Sequence, residues 1–226
     1  MLNSFVDFHT HIMPALDHGS KSMEESATQI SLFIENGINE VVATSHFYGH
    51  VHKLDDFLTK REVAYEQVKS YIDENHLNFK VHLAAEVLAF AGLDNLDRLS
   101  ELTIGKSSTL LLELPYGPLS SDIEATIVKL IRKGYGILLA HADRYSVIDI
   151  EKLISAGAKV QLNASALSKM FVKGAYKRWI AEGTCVALGS DIHGTDAVAI
   201  AKFVKATKRL VKYQENFISY KNTLIP

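Results

Sequence analysis

The sequence predicts an α/β fold whose parallel strands form a distorted barrel or an open, doubly wound sheet. Seven short apolar runs recur along the 226 residues, and longer amphipathic stretches separate most of them. No low-complexity segment or linker divides the chain, and its length suits one α/β-barrel domain. We therefore expect a single domain over residues 1–226, although periodicity alone does not choose between a barrel and an open sheet.

The predicted strands are near-continuous hydrophobic runs, which is the pattern of a parallel sheet covered on both faces. They are the segments 5–8, 40–45, 81–85, 109–112, 136–140, 159–162 and 185–188.

The predicted helices fall between these strands. Ser22, followed three residues later by Glu25, forms a capping box that opens a helix ending near Asn36 and Gly37. The other predicted helices are 54–74, 122–133, 148–156, 169–182 and 196–211. The segment 86–108 is expected to be an active-site loop with a short helix.

Composition excludes several classes of protein. The net charge of −2, from 24 basic and 26 acidic residues, gives no general support for nucleic-acid binding. The only cysteine, Cys185, cannot form an internal disulfide. No apolar run approaches the roughly 20 residues needed to cross a bilayer, so we expect a cytoplasmic protein without membrane insertion.

Metal-ligating side chains follow most of the predicted strands. Because the carboxyl ends of barrel strands open on one face, these residues should converge there. In chain order they are His9, His11, His46, Glu86, Glu113, His141, Asp191 and His193, while Asn163 follows the sixth strand.

This set of imidazoles and carboxylates is too large for a single ion of four to six coordination. Two or three divalent cations are therefore expected, with Glu86 as a bridging ligand, and the absence of thiolates favours Mn, Fe or Zn in a catalytic site. His9 and His11 can share one cation, because residues two apart in a strand point to the same side.

The chain resembles the PHP (polymerase and histidinol phosphatase) superfamily, and in particular its manganese-dependent bacterial protein-tyrosine phosphatases of capsule and exopolysaccharide operons. The resemblance begins with the segment 7–14, DFHTHIMP, and with Asp17-His18-Gly19. It continues in order through segments 24–26, 43–46, 85–86, 112–115, 140–145, 161–165 and 189–193.

The resemblance implies a distorted (β/α)7 TIM-like barrel, the PHP fold, with three divalent cations, preferably Mn. By position, His9, His11, Glu86 and Asp191 would hold the first cation. The second would be held by Glu86, Glu113 and His141, and the third by Asp17, His46 and His193. Arg144 matches an arginine that the family places near the phosphate.

The implied function is hydrolysis of phosphotyrosine on protein by a metal-activated hydroxide, regulating capsule or exopolysaccharide synthesis. A tyrosine leaving group, with a pKa of about 10, needs less protonation than a serine alkoxide. His18 or Asp143 could assist its departure, although the family usually has a second Asp at the position of His18. The implied partners are a phosphotyrosine protein, with a bacterial tyrosine kinase as a candidate, and further copies of the chain in a homo-oligomer.

Three alternatives remain open. A small-molecule phosphatase such as a histidinol-phosphate phosphatase would use the same metals, and only the pocket would differ. A non-catalytic metal-binding regulator predicts missing ligands, and none is missing. A nuclease would need a basic groove, for which the charge balance gives no clear support.

Several other residues are interpreted as structural. His50 and His52 form a second His-x-His, read as a solvated or substrate-side loop rather than as ligands. His82 lies inside a strand and is expected to be a satisfied histidine that is buried or faces a helix. Trp179 and Phe171, in the predicted helix 169–182, are expected in the core.

Overall fold

A computed structural model describes residues 5–225, so the ends of the predicted domain, 1–4 and 226, lie outside the described range. All strand pairings are parallel. The strands are β1 (Asp7–His11), β2 (Glu40–Ala43), β3 (His46–Phe47), β4 (Lys80–Leu83), β5 (Glu86–Leu88), β6 (Thr109–Glu113), β7 (Gly136–Leu139), β8 (Lys159–Asn163), β9 (Cys185–Gly189) and β10 (Ile192–His193).

The helices lie mostly between these strands, as the sequence predicts. They are α1 (Met23–Glu35), α2 (Leu54–Glu74), α3 (Ser121–Arg132), α4 (Val147–Ser155), α5 (Ala164–Leu167), α6 (Gly174–Ala181), α7 (Ala197–Leu210) and α8 (Gln214–Leu224). Ser22 caps α1 by accepting a hydrogen bond from the backbone N–H of Glu25, which confirms the predicted start of that helix. Within the described range, no helix is long and apolar enough to cross a membrane.

The strand order is β3-β5-β6-β7-β8-β9-β1-β2-β4, with β10 added beside β1. β3 continues β2 after a two-residue break, and β5 continues β4 in the same way. β2 pairs with β4 and β3 pairs with β5, so the two interrupted strands lie side by side and the ring closes. The Glu86 N–H donates to the Thr44 carbonyl (3.2 Å) across the break. The seven-stranded, distorted barrel is therefore confirmed.

The pairing register shifts at two places, one between β1 and β2 and one between β8 and β9. The first shift changes which side chains enter the barrel. Asp7 pairs with Val41 and Thr10 with Ala43, so β1 holds one extra residue between these pairs. Such a bulge lets neighbouring residues share one side of a strand. Consistent with this, Phe8 packs in the interior apolar cluster while His9, the next residue, reaches the site at the barrel mouth.

The interior apolar cluster fills the barrel below the site, and it is formed mainly by strand residues. These are Val6, Phe8, Val42, Ala84, Leu111, Leu138, Ala140, Val186 and Ala187. Leu224 and Ile225, at the C-terminal end of the described chain, complete the cluster together with Ile104. Helix α8, which the sequence analysis did not predict, thus helps to close the barrel floor.

One predicted helix is partly wrong. The segment 169–182 is not one helix, because residues 168–173 are irregular and α6 begins only at Gly174. Phe171 lies in the irregular part with 86% of its surface exposed, so its predicted core position is wrong, whereas Trp179 is buried as predicted. Helical periodicity placed Phe171 on an inner face that the chain does not form there.

Candidate metal centre

The predicted ligands meet at the carboxyl end of the barrel. His9 and His11 close β1, Glu113 closes β6, and His46 and Glu86 open the short strands beyond the two breaks. The remaining ligands, His141, Asp191 and His193, follow β7 and β9. The breaks in the second and third strands therefore bring two further side chains to the same mouth.

Glu86 lies at the centre of the cluster and is fully buried. Its Oε2 is 3.0 Å from His9 Nε2, 3.0 Å from His46 Nδ1 and 3.4 Å from His11 Nε2. Its Oε1 is 2.7 Å from His141 Nε2. One carboxylate thus contacts four imidazoles from two strands, β1 and β3, and from the turn after β7, which is the position expected of a bridging ligand.

Asp191 approaches the same imidazoles from the β9 side. Its Oδ1 is 3.6 Å from the Nε2 atoms of both His9 and His11, and 3.7 Å from His193 Nδ1. The side chain is nearly buried, with 5% exposed. Asp191 therefore presents one oxygen to the two histidines of β1.

Glu113 lies on the opposite side, nearer the solvent. Its Oε1 is 3.6 Å from His141 Nε2, and its Oε2 is 4.0 Å from His46 Nδ1. Burial and the nearby charge of Glu86 raise the pKa of the Glu113 carboxyl.

Four groups of three side chains have ligand atoms within 4.8 Å of one another. They are His11–His46–His193, His9–Glu86–His141, His9–His11–Asp191 and His46–Glu86–Glu113. Each group shares one residue with each of two others. His11 joins the first group to the third, His9 the third to the second, Glu86 the second to the fourth, and His46 the fourth to the first. Neighbouring cations that share ligands would fit this arrangement. Of the nine predicted ligands, Asp17 alone belongs to none of these groups within residues 5–225.

Asp17 instead lies behind His11. Its Oδ2 is 2.9 Å from His11 Nδ1 and accepts the His46 N–H, while its Oδ1 accepts the Gly19 N–H. Burial raises the pKa of Asp17, but its contacts with His11 outweigh burial and hold that pKa well below the usual value. This position orients His11 toward the other ligands, and a direct ligand role for Asp17 stays a prediction.

The buried polar atoms of the centre suit a cation. Within residues 5–225, Glu86 Oε2, both ring nitrogens of His46, His141 Nδ1 and His193 Nε2 have no hydrogen-bond partner. Burying such atoms without a partner is costly, and a divalent cation would satisfy carboxylate and imidazole donors together. The donor set therefore fits bound metal.

The local charge balance leads to the same conclusion. Burial lowers the pKa of His9 and His11, but nearby carboxylates more than compensate and raise both above the usual value. Burial raises the pKa of Glu86, and the charge of His9 together with hydrogen bonds from His11 and His141 holds it well below the usual value. The carboxylates thus attract positive charge, which protons supply when no cation is bound.

Two of the predicted ligands have strained backbones. His141 has φ 31° and Asp191 has φ 56°, in the left-handed region that side chains other than Gly rarely adopt. Backbone strain of this kind concentrates at functional sites, where the surrounding structure imposes it.

The three residues predicted to assist catalysis surround the mouth. Arg144 is exposed, and its guanidinium donates to Asp191 Oδ2. His18 is exposed and stacks on His46 and His193, with ring centroids 4.6 and 4.5 Å away. Asp143 Oδ1 accepts the Asn163 N–H (2.8 Å), and burial raises its pKa. All three roles stay predictions.

The second His-x-His has a structural contact. His52 Nδ1 accepts the Tyr48 N–H (3.1 Å), and its ring stacks on Phe57. Neither His50 nor His52 belongs to a potential metal group within the described range.

His82 is satisfied as predicted, because its Nε2 is 2.8 Å from Glu40 Oε1, although it is only partly buried.

The sequence analysis did not single out Gln161. Its side chain is fully buried within β8 and contacts both His9 and the backbone of His141. A polar residue between Val160 and Leu162, inside an otherwise apolar strand, is the signal that could have identified it.

Gly189 makes room for this arrangement, and we expect Gly189→Ala to disrupt it. A Cβ at position 189 would lie 2.5 Å from Gln161 Nε2 and 2.6 Å from His9 Cβ, far inside contact distance. We expect a loss of about 1–3 kcal/mol in the free energy of unfolding, as for other overpacked interiors, together with weaker binding of divalent cations.

Urea unfolding and calorimetric titration with Mn²⁺ would measure these two effects. Gly174→Ala is the matched control, because a Cβ there meets nothing within 4 Å among the described residues. Equal behaviour of the two variants would contradict the steric argument.

Comparison with known proteins assigns the family. The family model described as capsular polysaccharide synthesis, CpsB/CapC, matches residues 5–222. The chain belongs to the CpsB/CapC family.

Curated relatives of the family are similar over most of their length. The tyrosine-protein phosphatase CpsB of Streptococcus pneumoniae is 25% identical over 214 residues, covering 85% of this chain and 84% of CpsB. The tyrosine-protein phosphatase YwqE of Bacillus subtilis is 26% identical over 174 residues, covering 74% of this chain and 68% of YwqE.

Solved structures agree on the fold. A chain from the crystal structures of YwqE from Bacillus subtilis and CpsB from Streptococcus pneumoniae, described as unique metal-dependent tyrosine phosphatases, superposes with a TM-score of 0.82 at 20% identity. The superposition covers 98% of this chain and 94% of that one. A TatD family hydrolase from Entamoeba histolytica reaches a TM-score of 0.63 at 12% identity, covering 100% and 99% of the two chains.

Proposed function

We propose that this CpsB/CapC family member is a metal-dependent phosphomonoesterase that hydrolyses phosphotyrosine on protein. The observation that carries the proposal is the convergence of seven imidazole and carboxylate side chains around an eighth, the buried Glu86. The names of the relatives CpsB and YwqE give tyrosine phosphatase as the activity. A cytoplasmic location and a role in regulating capsule or exopolysaccharide synthesis are part of the proposal.

The residues that would hold metal are those of the four ligand groups, with Asp17 orienting His11. Three divalent cations are proposed, because mixed carboxylate and imidazole donors without thiolate suit Mn, Fe or Zn. Mn is preferred among them on the family resemblance. Such cations, when bound, supply a water of lowered pKa and neutralise charge on phosphoryl oxygens.

Arg144 is proposed to bind the phosphoryl group at the mouth. Its side chain is 42% exposed while it pairs with Asp191, so the guanidinium can reach both the ligand cluster and solvent. A planar guanidinium can bind two phosphoryl oxygens at once, which fixes their orientation. Arg144 would thus position the phosphate above the centre.

The leaving group is proposed to need little proton transfer. His18 is the exposed imidazole at the mouth, and burial together with the charge of His46 lowers its pKa, so it is mostly neutral at pH 7. A neutral imidazole is a poor acid. Phenolate, with a conjugate acid pKa of about 10, can leave with less help than an alkoxide, and this favours an aryl phosphate as substrate.

An apolar groove beside Glu113 would receive the tyrosyl ring. Its walls are Tyr48, Leu88, Leu114, Pro115 and Tyr116, together with His50. Tyr116 is 97% exposed and therefore free to stack on a ligand. A groove with apolar walls and an aromatic rim suits the ring of phosphotyrosine better than the polar imidazole and the ammonium group of histidinol phosphate.

Substrate kinetics test the proposal. The Mn²⁺-loaded protein should hydrolyse a phosphotyrosyl peptide with a higher kcat/KM than histidinol phosphate or a phosphoseryl peptide of the same sequence. A higher kcat/KM for histidinol phosphate would support the small-molecule alternative instead.

Tyr116→Ala should weaken binding of the phosphotyrosyl peptide. Loss of one stacking contact of about 0.5–1.5 kcal/mol corresponds to a rise of about 2- to 12-fold in KM, with kcat little changed. Met170→Ala is the control, because Met170 is 82% exposed and is not part of the groove. An unchanged KM in Tyr116→Ala would contradict the proposal that this groove binds the tyrosyl ring.

A further inference from the structure

Gln161 joins three of the proposed ligands below the metal centre. Its side chain is fully buried in β8, and it contacts His9, the backbone of His141 and Asn163, which in turn contacts Asp191. We infer that Gln161 is a positioning residue. The donors and acceptors of its hydrogen bonds are fixed, and they determine which atoms of His9 and Asp191 face the cations. The inference rests on the metal-binding part of the proposed function.

The direction of the chain is fixed by a backbone amide. The N–H of His141 lies 2.6 Å from Gln161 Oε1. A backbone N–H can only donate, so the side-chain atom that it meets must be the amide oxygen. This contact settles the orientation of the Gln161 amide group.

The orientation of Gln161 then determines the tautomer of His9. His9 Nδ1 is 3.2 Å from the same Oε1 atom, and two acceptors cannot form a hydrogen bond. Nδ1 must therefore carry the proton. In a ring that binds a cation, the lone pair of His9 must then be at Nε2, the nitrogen that lies 3.0 Å from Glu86 Oε2 and that this carboxylate attracts toward the centre.

The other end of Gln161 acts on Asp191 through Asn163. Gln161 Nε2 donates to Asn163 Oδ1 (3.0 Å), so the remaining Asn163 atom must be Nδ2, which donates to Asp191 Oδ2 (3.1 Å). Asp191 Oδ1 is left to face His9 and His11. One amide thus directs a nitrogen and a carboxylate oxygen toward the same centre.

Nitrogen-15 NMR of the metal-free protein tests this assignment without catalysis. Wherever the wild-type His9 ring carries a single proton, that proton should be on Nδ1, because Nδ1 faces Gln161 Oε1. A singly protonated ring with its proton on Nε2 would overturn the inference directly, before any variant is made.

Two substitutions separate positioning from packing. Gln161→Leu removes the acceptor, so the Nδ1–H form of His9 should no longer dominate, and affinity for Mn²⁺ should fall by about 10- to 100-fold, as for other groups that orient metal ligands. Gln161→Glu keeps an oxygen beside His9 Nδ1 and should keep the Nδ1–H form. The second variant also serves if Gln161→Leu does not fold.

Leu162→Ala is the matched control, since Leu162 is buried in the next position of β8 and packs in the apolar core outside the barrel. It should lower the melting temperature without changing the His9 tautomer or the Mn²⁺ affinity. If Gln161→Leu retains the Nδ1–H form, or binds Mn²⁺ as tightly as wild type, the inference is wrong. If wild type itself binds no divalent cation, the proposed function fails, and the tautomer measurement still decides the role of Gln161.

Discussion

Glu86→Gln should abolish hydrolysis of p-nitrophenyl phosphate, with a loss of kcat at or beyond the ~100- to 1,000-fold seen when one charge-stabilising group is removed from an active site. Glutamine has nearly the same shape as glutamate, so the barrel should still form. The amide is neutral, however, and its NH₂ group must face at least one of the four imidazole nitrogens that surround the carboxylate. Both the charge and the acceptor that would bridge two cations are lost.

Steady-state kinetics with added Mn²⁺ would measure the effect, and His9→Ala should behave similarly. Cys185→Ala is the control. Burial raises the pKa of the Cys185 thiol to about 12, so it is not a competent nucleophile, and its loss should leave the rate close to that of wild type. Wild-type rates in both Glu86→Gln and His9→Ala would refute the catalytic role of the centre.

Removal of metal should abolish activity and should also destabilise the protein, increasingly so as the pH rises. A ligand that binds only the folded state, at a free concentration of about 100 to 1,000 times its Kd, adds about 2.7 to 4.1 kcal/mol to the free energy of unfolding. We therefore expect chelation to lower the melting temperature by several degrees, and added Mn²⁺ to restore both the melting temperature and the activity.

The pH dependence follows from the pKa shifts in the metal-free centre. The pKa values of His9 and His11 are raised by folding, so the stability they contribute is present below about 6.5, the unfolded value, and is lost as pH rises through the folded values. Burial raises the pKa of Asp7 to about 7, which acts in the same direction. Metal binding needs neutral imidazoles and therefore strengthens with pH.

Thermal unfolding at about pH 7 and pH 9, with and without chelator, measures this linkage. Both pH values lie above the pKa of about 6.5 of an unfolded histidine. The pKa of His193 is lowered to about 4, so this residue hardly changes the stability between the two pH values. The difference in melting temperature between loaded and stripped protein should grow toward pH 9. A difference that shrinks would contradict the assigned ligands.

Most of the site could be predicted from the sequence because of one topological rule. Residues that follow parallel strands meet at one end of a barrel, and His9, Glu86 and His141 do meet there at 3.0 Å or less. Asp17 is different, because it comes from the loop after β1, where the turn and not the strand sets its direction. Its place behind His11 could not be deduced from its position in the chain.

Gln161 was not found for a related reason. The rule that residues after parallel strands meet at one end of the barrel selects residues beyond the strand ends. Gln161 lies within a strand and is inferred to orient the ligands His9 and Asp191 without binding metal itself. The two bulges were equally hidden, because a one-residue shift such as that between Asp7 and Thr10 depends on pairing with neighbouring strands.

The errors in the fold concern segments with weak local signals. Helix α8 has a partly polar sequence whose buried residues, Phe217 and Leu224, find their partners only in the folded barrel. The loop 168–173 has a helical pattern of apolar residues, but in the structure it is an irregular connection between the short helix α5 and helix α6, which begins at Gly174.

The metal content of the purified protein, measured by inductively coupled plasma mass spectrometry, tests the central claim most directly. After loading with Mn²⁺ and removal of excess, the account predicts about two to three equivalents per wild-type chain, since eight ligands exceed what one ion can coordinate. Glu86→Gln should hold clearly less. Less than one equivalent in wild type, or equal content in the two proteins, would contradict the account.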